Sequence, residues 1–225
     1  IDATAEWYTK PAPLSAARGM HRFVWDLHLA APAALGSGGV WALPGEYRVK
    51  LTVDGESYSQ PLTVVNDPRV KVSEKDLVKQ QALALQIQAQ RAALAAASDD
   101  VSGTLKQLAA AEAKAPVELA ARLQAFEQQL SAHTEMHAVP PGYGQPGGKP
   151  ERVGSLAYVS QAFDALQSAV EDADGAPTPD ALKGYAEQKA KADAALAQWQ
   201  HDQESIPPLN VELKQAGLPA LDPKQ

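Results

Sequence analysis

The stretch LPGEYRVKLTVDGESYSQPLTVVNDPRV, residues 43–70, predicts a β-hairpin that is followed by the end of the strand region. Apolar and polar residues alternate from Tyr47 to Asp54, which is typical of a strand with one buried face. Asp54-Gly55 is the favoured two-residue hairpin turn, because both of its central positions need positive φ. The sequence therefore predicts two antiparallel strands, and the apolar side of this hairpin needs a covering layer.

The two-residue turn also predicts the register of the hairpin. Leu51 then faces Tyr58, and the apolar residues of both strands fall on the same face. Pro61 falls opposite Arg48, at a pair that exchanges no backbone hydrogen bonds. The N–H that Pro61 lacks would point away from the hairpin, where the edge of a sheet tolerates its absence.

A third strand is predicted upstream, in MHRFVWDLHL at residues 20–29, where Phe23, Trp25 and Leu27 alternate with polar residues. The Gly-rich segment GSGGVWALPG, residues 36–45, joins it to the hairpin. A β-sandwich usually has about seven strands or more, so three or four strands are few for a complete one. Three strands can suffice if a helix covers the exposed face, so the strand count leaves open what covers this sheet.

Beyond Asp67-Pro68 the pattern changes from alternating to helical. Ser73, followed three residues later by Asp76, predicts a helix start, and the heptad-like spacing of apolar residues predicts one helix from about Glu74 to Lys114. Further helices are predicted over residues 116–133 and 153–172, and from Pro179 to a break at Pro207-Pro208, after which a last helical stretch ends at Gly217. Short turns favour antiparallel neighbours, so residues 73–217 are predicted to form an antiparallel four-helix bundle, with a flexible loop at 137–152.

Composition excludes several classes of function. The net charge of −7 and pI of about 5.2 disfavour nucleic-acid binding, since an acidic surface repels phosphates. No cysteine is present, which excludes disulfides and thiolate chemistry. No apolar run approaches the roughly 18 residues that a membrane span needs, so no membrane span is predicted.

Three short motifs suggest chemistry only weakly. His133 and His137 have the spacing of two metal ligands on one helical face, but no third ligand is indicated, and an exposed helix end is the favoured interpretation. EDADG at 171–175 resembles the start of a calcium loop, but prolines replace the later ligands. The Gly-rich loop ending at Lys149 lacks the Ser or Thr of a phosphate-binding loop. We predict no catalytic residue, no cofactor and no metal ion for this chain.

Aromatic residues outside the regular elements allow a second interpretation. Trp41 and Tyr143 lie in segments without a predicted strand or helix, and exposed aromatic rings can stack on sugars. Such rings more often pack against the end of a sandwich or a neighbouring domain. Trp41 and Tyr143 are thus candidate sugar-stacking residues, and binding of carbohydrate is the alternative function.

Four segments resemble a known family: GMHRFVWDL at 19–27, the hairpin stretch at 43–70, GAPTPDAL at 175–182 and IPPLNVELKQAGLP at 206–219. Together they look like the C-terminal region of bacterial sortilin-like, BNR-repeat "glycosyl hydrolase" proteins. The hairpin is also similar to the sandwich of the flagellar hook-capping protein, through Trp25-Asp26 and Pro44-Gly45-x-Tyr47.

The resemblance implies an α+β fold, with a partial immunoglobulin-like β-sandwich at 1–68 followed by the helical bundle. Members of that family are exported, to the periplasm or the cell exterior, and carry a β-propeller upstream. The propeller's Ser-x-Asp-x-Gly-x-Thr-Trp boxes do not occur here. The hydrolase label of the family therefore has no residues in this chain to support it. We expect a non-catalytic accessory module whose partner is the upstream propeller and sandwich polypeptide or another protein chain. The expected interaction face of the sheet consists of Phe23, Trp25, Tyr47, Leu51, Tyr58 and Leu62.

Overall fold

A computed structural model describes residues 15–36, 38–134 and 154–224 of the chain. It combines α and β structure, which confirms the mixed class predicted from the sequence. The strands are β1 (Gly45–Val53) and β2 (Glu56–Val64), preceded by a 3-10 turn at Ala33–Leu35. The helices are α1 (Glu74–Glu112), α2 (Val117–Thr134), α3 (Leu156–Glu171), α4 (Pro179–Gln203) and α5 (Ile206–Gln215).

The predicted register of the hairpin is confirmed. β1 and β2 pair antiparallel, with Leu51 opposite Tyr58 and Arg48 opposite Pro61. Asp54 has φ 51° and Gly55 has φ 86°, as a two-residue turn with two positive φ angles requires. Turn chemistry and hydrophobic alternation therefore specify the same pairing.

The predicted third strand over residues 20–29 is wrong except at one position. His28 forms an isolated antiparallel bridge with Trp41, flanked by a hydrogen bond from Leu29 N to Val40 O at 2.8 Å. Leu27 has φ 65°, outside the extended region, and this backbone conformation interrupts the run that Phe23 and the residues around it would have continued.

Helix α1 begins and ends close to the prediction. The Ser73 hydroxyl accepts a hydrogen bond from the backbone N–H of Asp76, which satisfies a donor that the first turn would otherwise leave free. At 39 residues, α1 is about 58 Å long at a rise of 1.5 Å per residue. Its buried stripe follows the predicted apolar spacing and includes Ala84, Ile87, Leu94, Val101 and Leu108.

The core lies among the helices and not in the sheet. Helix α1 packs against α2, α3 and α4, and α3 also packs against α4. Fully buried side chains include Leu123 of α2, Leu156 and Phe163 of α3, and Leu213 of α5. Val40 also belongs to this core, so the segment before β1 anchors the hairpin to the helices.

Two predictions concern residues that lie partly or wholly outside the described part of the chain. The predicted loop at 137–152, with Tyr143 and His137, lies outside the described residues. The partial sandwich predicted over 1–68 includes residues 1–14, which also lie outside them.

Candidate interaction surface

The hairpin presents an apolar face that the rest of the described chain leaves largely uncovered. We define the apolar face by its side chains, Tyr47, Val49, Leu51, Val53, Tyr58, Leu62 and Val64. No residue of either strand is buried. Val49, Leu51, Val53 and Tyr58 keep 53%, 47%, 48% and 58% of their surface exposed. A contiguous group of this kind on a rigid turn-stabilised element is typical of an interaction surface.

The foot of the apolar face is partly covered by the upstream segment. The indole of Trp25 lies edge-on to the ring of Tyr47, with 5.3 Å between the ring centroids. Trp25 Nε1 donates a hydrogen bond to His28 O at 2.7 Å, and the Tyr47 hydroxyl donates to Leu43 O, also at 2.7 Å. These bonds fix both rings, so this end of the hairpin is held while its tip projects.

The structure brings together some of the six residues predicted for the sheet face. Trp25 contacts Tyr47, Tyr47 pairs with Leu62, and Leu51 pairs with Tyr58. Phe23 stands apart: it is 67% exposed and lies in the segment that does not pair as a strand.

The segment that leads into β1 is tied to the helices through its backbone. Gln81 Nε2 donates to Trp41 O at 2.8 Å, and Gln88 Nε2 donates to Gly38 O at 3.2 Å. The backbone N–H of Trp41 donates to the Glu171 carboxylate at 3.3 Å. Glutamine side chains of α1 thus satisfy carbonyls of an irregular segment that has few partners of its own.

A cavity of about 500 Å³ lies where the hairpin meets α1 and the end of α3. Trp41 is 48% exposed at its wall, and the His28 ring lies 3.9 Å from the indole, centroid to centroid. Glu171, Asp172 and Asp174 also line the cavity, and the Glu171 carboxylate already accepts hydrogen bonds from Trp41 N and Gln167 Nε2. An aromatic ring beside hydrogen-bonding carboxylates is an arrangement that can bind a sugar. Tyr143, the other candidate for stacking, lies outside the described residues.

Asp67 lines this cavity on the hairpin side and is held by its neighbour Arg69. Arg69 Nη2 donates to the carboxylate at 2.5 Å, and the backbone N–H of Arg69 donates at 2.8 Å. Both hydrogen bonds lower the pKa of Asp67, and the bond from the Arg69 side chain has the larger effect. Asp67 therefore contributes a stable negative charge to the cavity rim.

Sequence reasoning missed a buried polar cluster between α2 and α4. The favoured interpretation of His133 as an exposed helix end is wrong, since its side chain is buried. His133 Nε2 lies 2.6 Å from Asp202 Oδ2, and Asp202 is itself buried. Gln129 and Gln198 both donate to Asp202 Oδ1, at 2.5 Å and 2.9 Å. A signal was present: His133 continues the Leu123, Phe126, Leu130 stripe at helical spacing.

The chemistry of this cluster is that of a satisfied carboxylate. An ionised carboxylate only accepts hydrogen bonds, so Nε2 of His133 carries the proton that points to Asp202. A cavity of about 520 Å³ adjoins the cluster and is lined by Gln128, His133 and Ser155 among others. The observed bonds join the C-terminal turns of α2 and α4, which makes the cluster a polar cross-link between helices.

The described residues contain no group of three or more His, Cys, Asp or Glu side chains that could hold a metal ion. Within residues 15–36, 38–134 and 154–224, no helix is both long enough and apolar enough to cross a bilayer.

In comparisons with known proteins, no family model, no curated protein and no solved structure matches the chain.

Proposed function

We propose that this chain is a non-catalytic accessory and interaction module of a larger exported β-propeller protein, and that its hairpin completes a sheet with strands from elsewhere. One observation carries the proposal: Val49, Leu51, Val53 and Tyr58, all on one face, remain about half exposed. A second layer that covers this apolar area removes it from water. The burial favours association by roughly 25 cal/mol per Å². The occupant to which we commit is β-strand polypeptide outside these 225 residues.

Under this proposal the hairpin belongs to an incomplete immunoglobulin-like sandwich. The helices form the antiparallel four-helix bundle predicted from the sequence and act as a spacer that holds the hairpin away from the core. The anchoring of residues 38–41 by glutamines of α1 supports this arrangement, because it fixes the foot of the hairpin and leaves the tip free. The resemblance to the C-terminal region of sortilin-like proteins supports the exported location.

The proposal predicts that the isolated chain self-associates through the apolar face. Leu51→Asp should shift the chain to monomer in sedimentation velocity, since it places a charge in the centre of that face. Thr52→Asp is the matched control: it adds the same charge one residue along β1, on the opposite face, and should leave association unchanged. Because both positions are exposed, neither variant should alter the thermal unfolding of the helices. A wild-type chain that stays monomeric at all concentrations and melts cooperatively would contradict the proposal.

Carbohydrate binding is the second candidate function, and the cavity beside Trp41 favours it. The exposed indole could stack on a sugar ring, while Asp172 and Asp174 accept hydrogen bonds from its hydroxyl groups. We expect oligosaccharides that bind there to change the tryptophan fluorescence of the wild-type chain and not that of Trp41→Phe. Trp25→Phe, which removes a tryptophan that does not line the cavity, is the control. A glycan-induced change that survives in Trp41→Phe would place the sugar elsewhere.

A further inference from the structure

The two edges of the hairpin differ in the backbone groups that they offer to an added strand. In an antiparallel pair, residues alternate between those that bond across the ladder and those whose N–H and C=O point outward. The pair that closes a two-residue turn, Val53 with Glu56, bonds inward, so alternate pairs beyond it also do. The outward-pointing pairs are Thr52–Ser57, Lys50–Ser59, Arg48–Pro61 and Glu46–Thr63.

Side-chain contacts agree with this assignment of inward-bonding and outward-pointing pairs. Side chains lie closer together at pairs whose backbone groups point outward. Thr52 Oγ1 lies 2.9 Å from Ser57 Oγ, and Thr63 Oγ1 donates to Glu46 Oε1 at 2.8 Å. Both contacts join residues of outward-pointing pairs.

Pro61 makes the β2 edge a poorer template than the β1 edge. The outward residues of β2 include Pro61, which has no N–H and whose ring occupies the space where a neighbouring strand would lie. On β1 the equivalent residues, Glu46, Arg48, Lys50 and Thr52, all have an N–H. Within the described part of the chain, no hydrogen bond to these four backbone donors is found outside the hairpin. Among the described residues, the β1 edge therefore keeps all four outward donors, and none of the four is occupied.

Charge indicates which strand would fit this edge. Arg48 and Lys50 are exposed on the face opposite the apolar face, and neither forms an ion pair with another described residue. A strand beside β1 would place one set of alternating side chains next to Val49 and Leu51, and the other set next to Arg48 and Lys50. Apolar residues fit the first set and carboxylates fit the second. A second copy of β1 would instead bring like charges together, which is unfavourable.

We propose that the β1 edge, and not the β2 edge, receives the added strand, and that this strand alternates apolar and acidic residues. The inference rests on the proposed function and specifies its partner. Recognition follows the mode in which an extended segment extends a sheet, with backbone hydrogen bonds supplying affinity and alternate side chains supplying specificity.

The test uses the full chain and a labelled synthetic peptide of alternating valine and glutamate, at protein concentrations below self-association. Lys50→Pro removes one outward donor of β1, and Ser59→Pro removes the donor directly across the hairpin from it. Neither N–H takes part in the hairpin ladder, so neither variant breaks a hydrogen bond between β1 and β2, although Lys50→Pro also removes a charge. We expect Lys50→Pro to weaken peptide binding by about tenfold or more in fluorescence anisotropy, and Ser59→Pro to change it by less than about twofold.

Two further variants and one measurement separate the causes. Lys50→Gln keeps the donor and removes the charge, so it should weaken binding less than Lys50→Pro. A peptide of alternating valine and lysine should bind Lys50→Glu better than it binds wild type. Peptide should also slow amide hydrogen exchange at Arg48 and Lys50 and leave Ser59 unchanged.

Several outcomes would overturn the inference. Equal loss in both proline variants, loss in Ser59→Pro alone, or no peptide binding to wild type would each do so. Slow amide hydrogen exchange at Arg48 and Lys50 in the absence of peptide would also overturn it. Residues 20–26 of the chain itself, or a second copy, would then occupy the edge. The proposed function fails separately, when Leu51→Asp and Thr52→Asp behave alike, so the two failures are distinguishable.

Discussion

Replacing Asp202 with alanine is expected to lower the free energy of unfolding by about 3–5 kcal/mol, one of the largest effects of a single substitution in this chain. The Asp202 carboxylate accepts hydrogen bonds from His133, Gln129 and Gln198, and it is 1% exposed. Alanine leaves three donors without their acceptor in a region that water reaches poorly. Urea unfolding followed by helical circular dichroism measures the loss.

Two further variants test whether the loss of stability comes from the buried carboxylate of Asp202. Asp202→Asn preserves the volume and can still accept from the glutamines, while His133 can change tautomer to accept from the new amide, so the loss should be smaller. Asp193→Ala removes a carboxylate from the exposed face of the same helix, where it pairs with Lys189 at the surface, and should change little. Equal losses for Asp202→Ala and Asp193→Ala would show that the buried cluster does not stabilise the packing of α2 on α4.

Local chemistry made the hairpin and the helix starts predictable. The Asp54-Gly55 turn and the alternation of β1 fix the same register, and the capping pair of Ser73 and Asp76 fixes the start of α1. Thr178 with Pro179 does the same for α4, where the Thr178 hydroxyl accepts from Ala181 N at 3.1 Å. In each case neighbouring residues supply the donor, the acceptor or the φ angle, so no distant contact is needed.

Long-range contacts were the part that the sequence alone did not predict. His133 and Asp202 are 69 residues apart, and only the packing of α2 on α4 brings them within hydrogen-bond distance. Phe23, Trp25 and Leu27 alternate as a strand would, but the positive φ of Leu27 interrupts the extended backbone just before His28, so the residues upstream of it do not pair. Alternation indicates which side chains share a face and says nothing about whether a neighbouring strand is available.

The candidate surface was likewise predictable where local patterns decide it and unpredictable where long-range contacts do. The alternation from Tyr47 to Val53 predicted which residues form the apolar face, and the register confirms that they lie together. How far each one is covered depends on Trp25, which packs on Tyr47 at the foot and leaves Leu51 and Tyr58 exposed. The cavity at Trp41 likewise depends on α3 ending beside the hairpin, which no local pattern indicates.

Gly39→Ala is expected to detach the segment that anchors the hairpin to the helices. A Cβ at position 39 would lie 1.7 Å from Leu29 O and 2.8 Å from Leu29 C, both of them backbone atoms. Backbone on both sides cannot move aside as a side chain could, so the hydrogen bond from Leu29 N to Val40 O must break. Val40, 1% exposed in the helical core, would then be pulled out of it.

Loss of Val40 from the core should cost about 1.5–3 kcal/mol, and limited proteolysis should newly cut the chain between residues 27 and 43. Gly175→Ala is the matched control, because a Cβ there meets nothing within 4 Å and its φ lies outside the left-handed region. Val40→Ala separates the two contributions: it removes buried methyl groups without forcing the two backbones apart, so it should lower stability with little new cleavage. If Gly39→Ala resists proteolysis as wild type does, the close approach of residues 29 and 39 is not what holds the hairpin on α1.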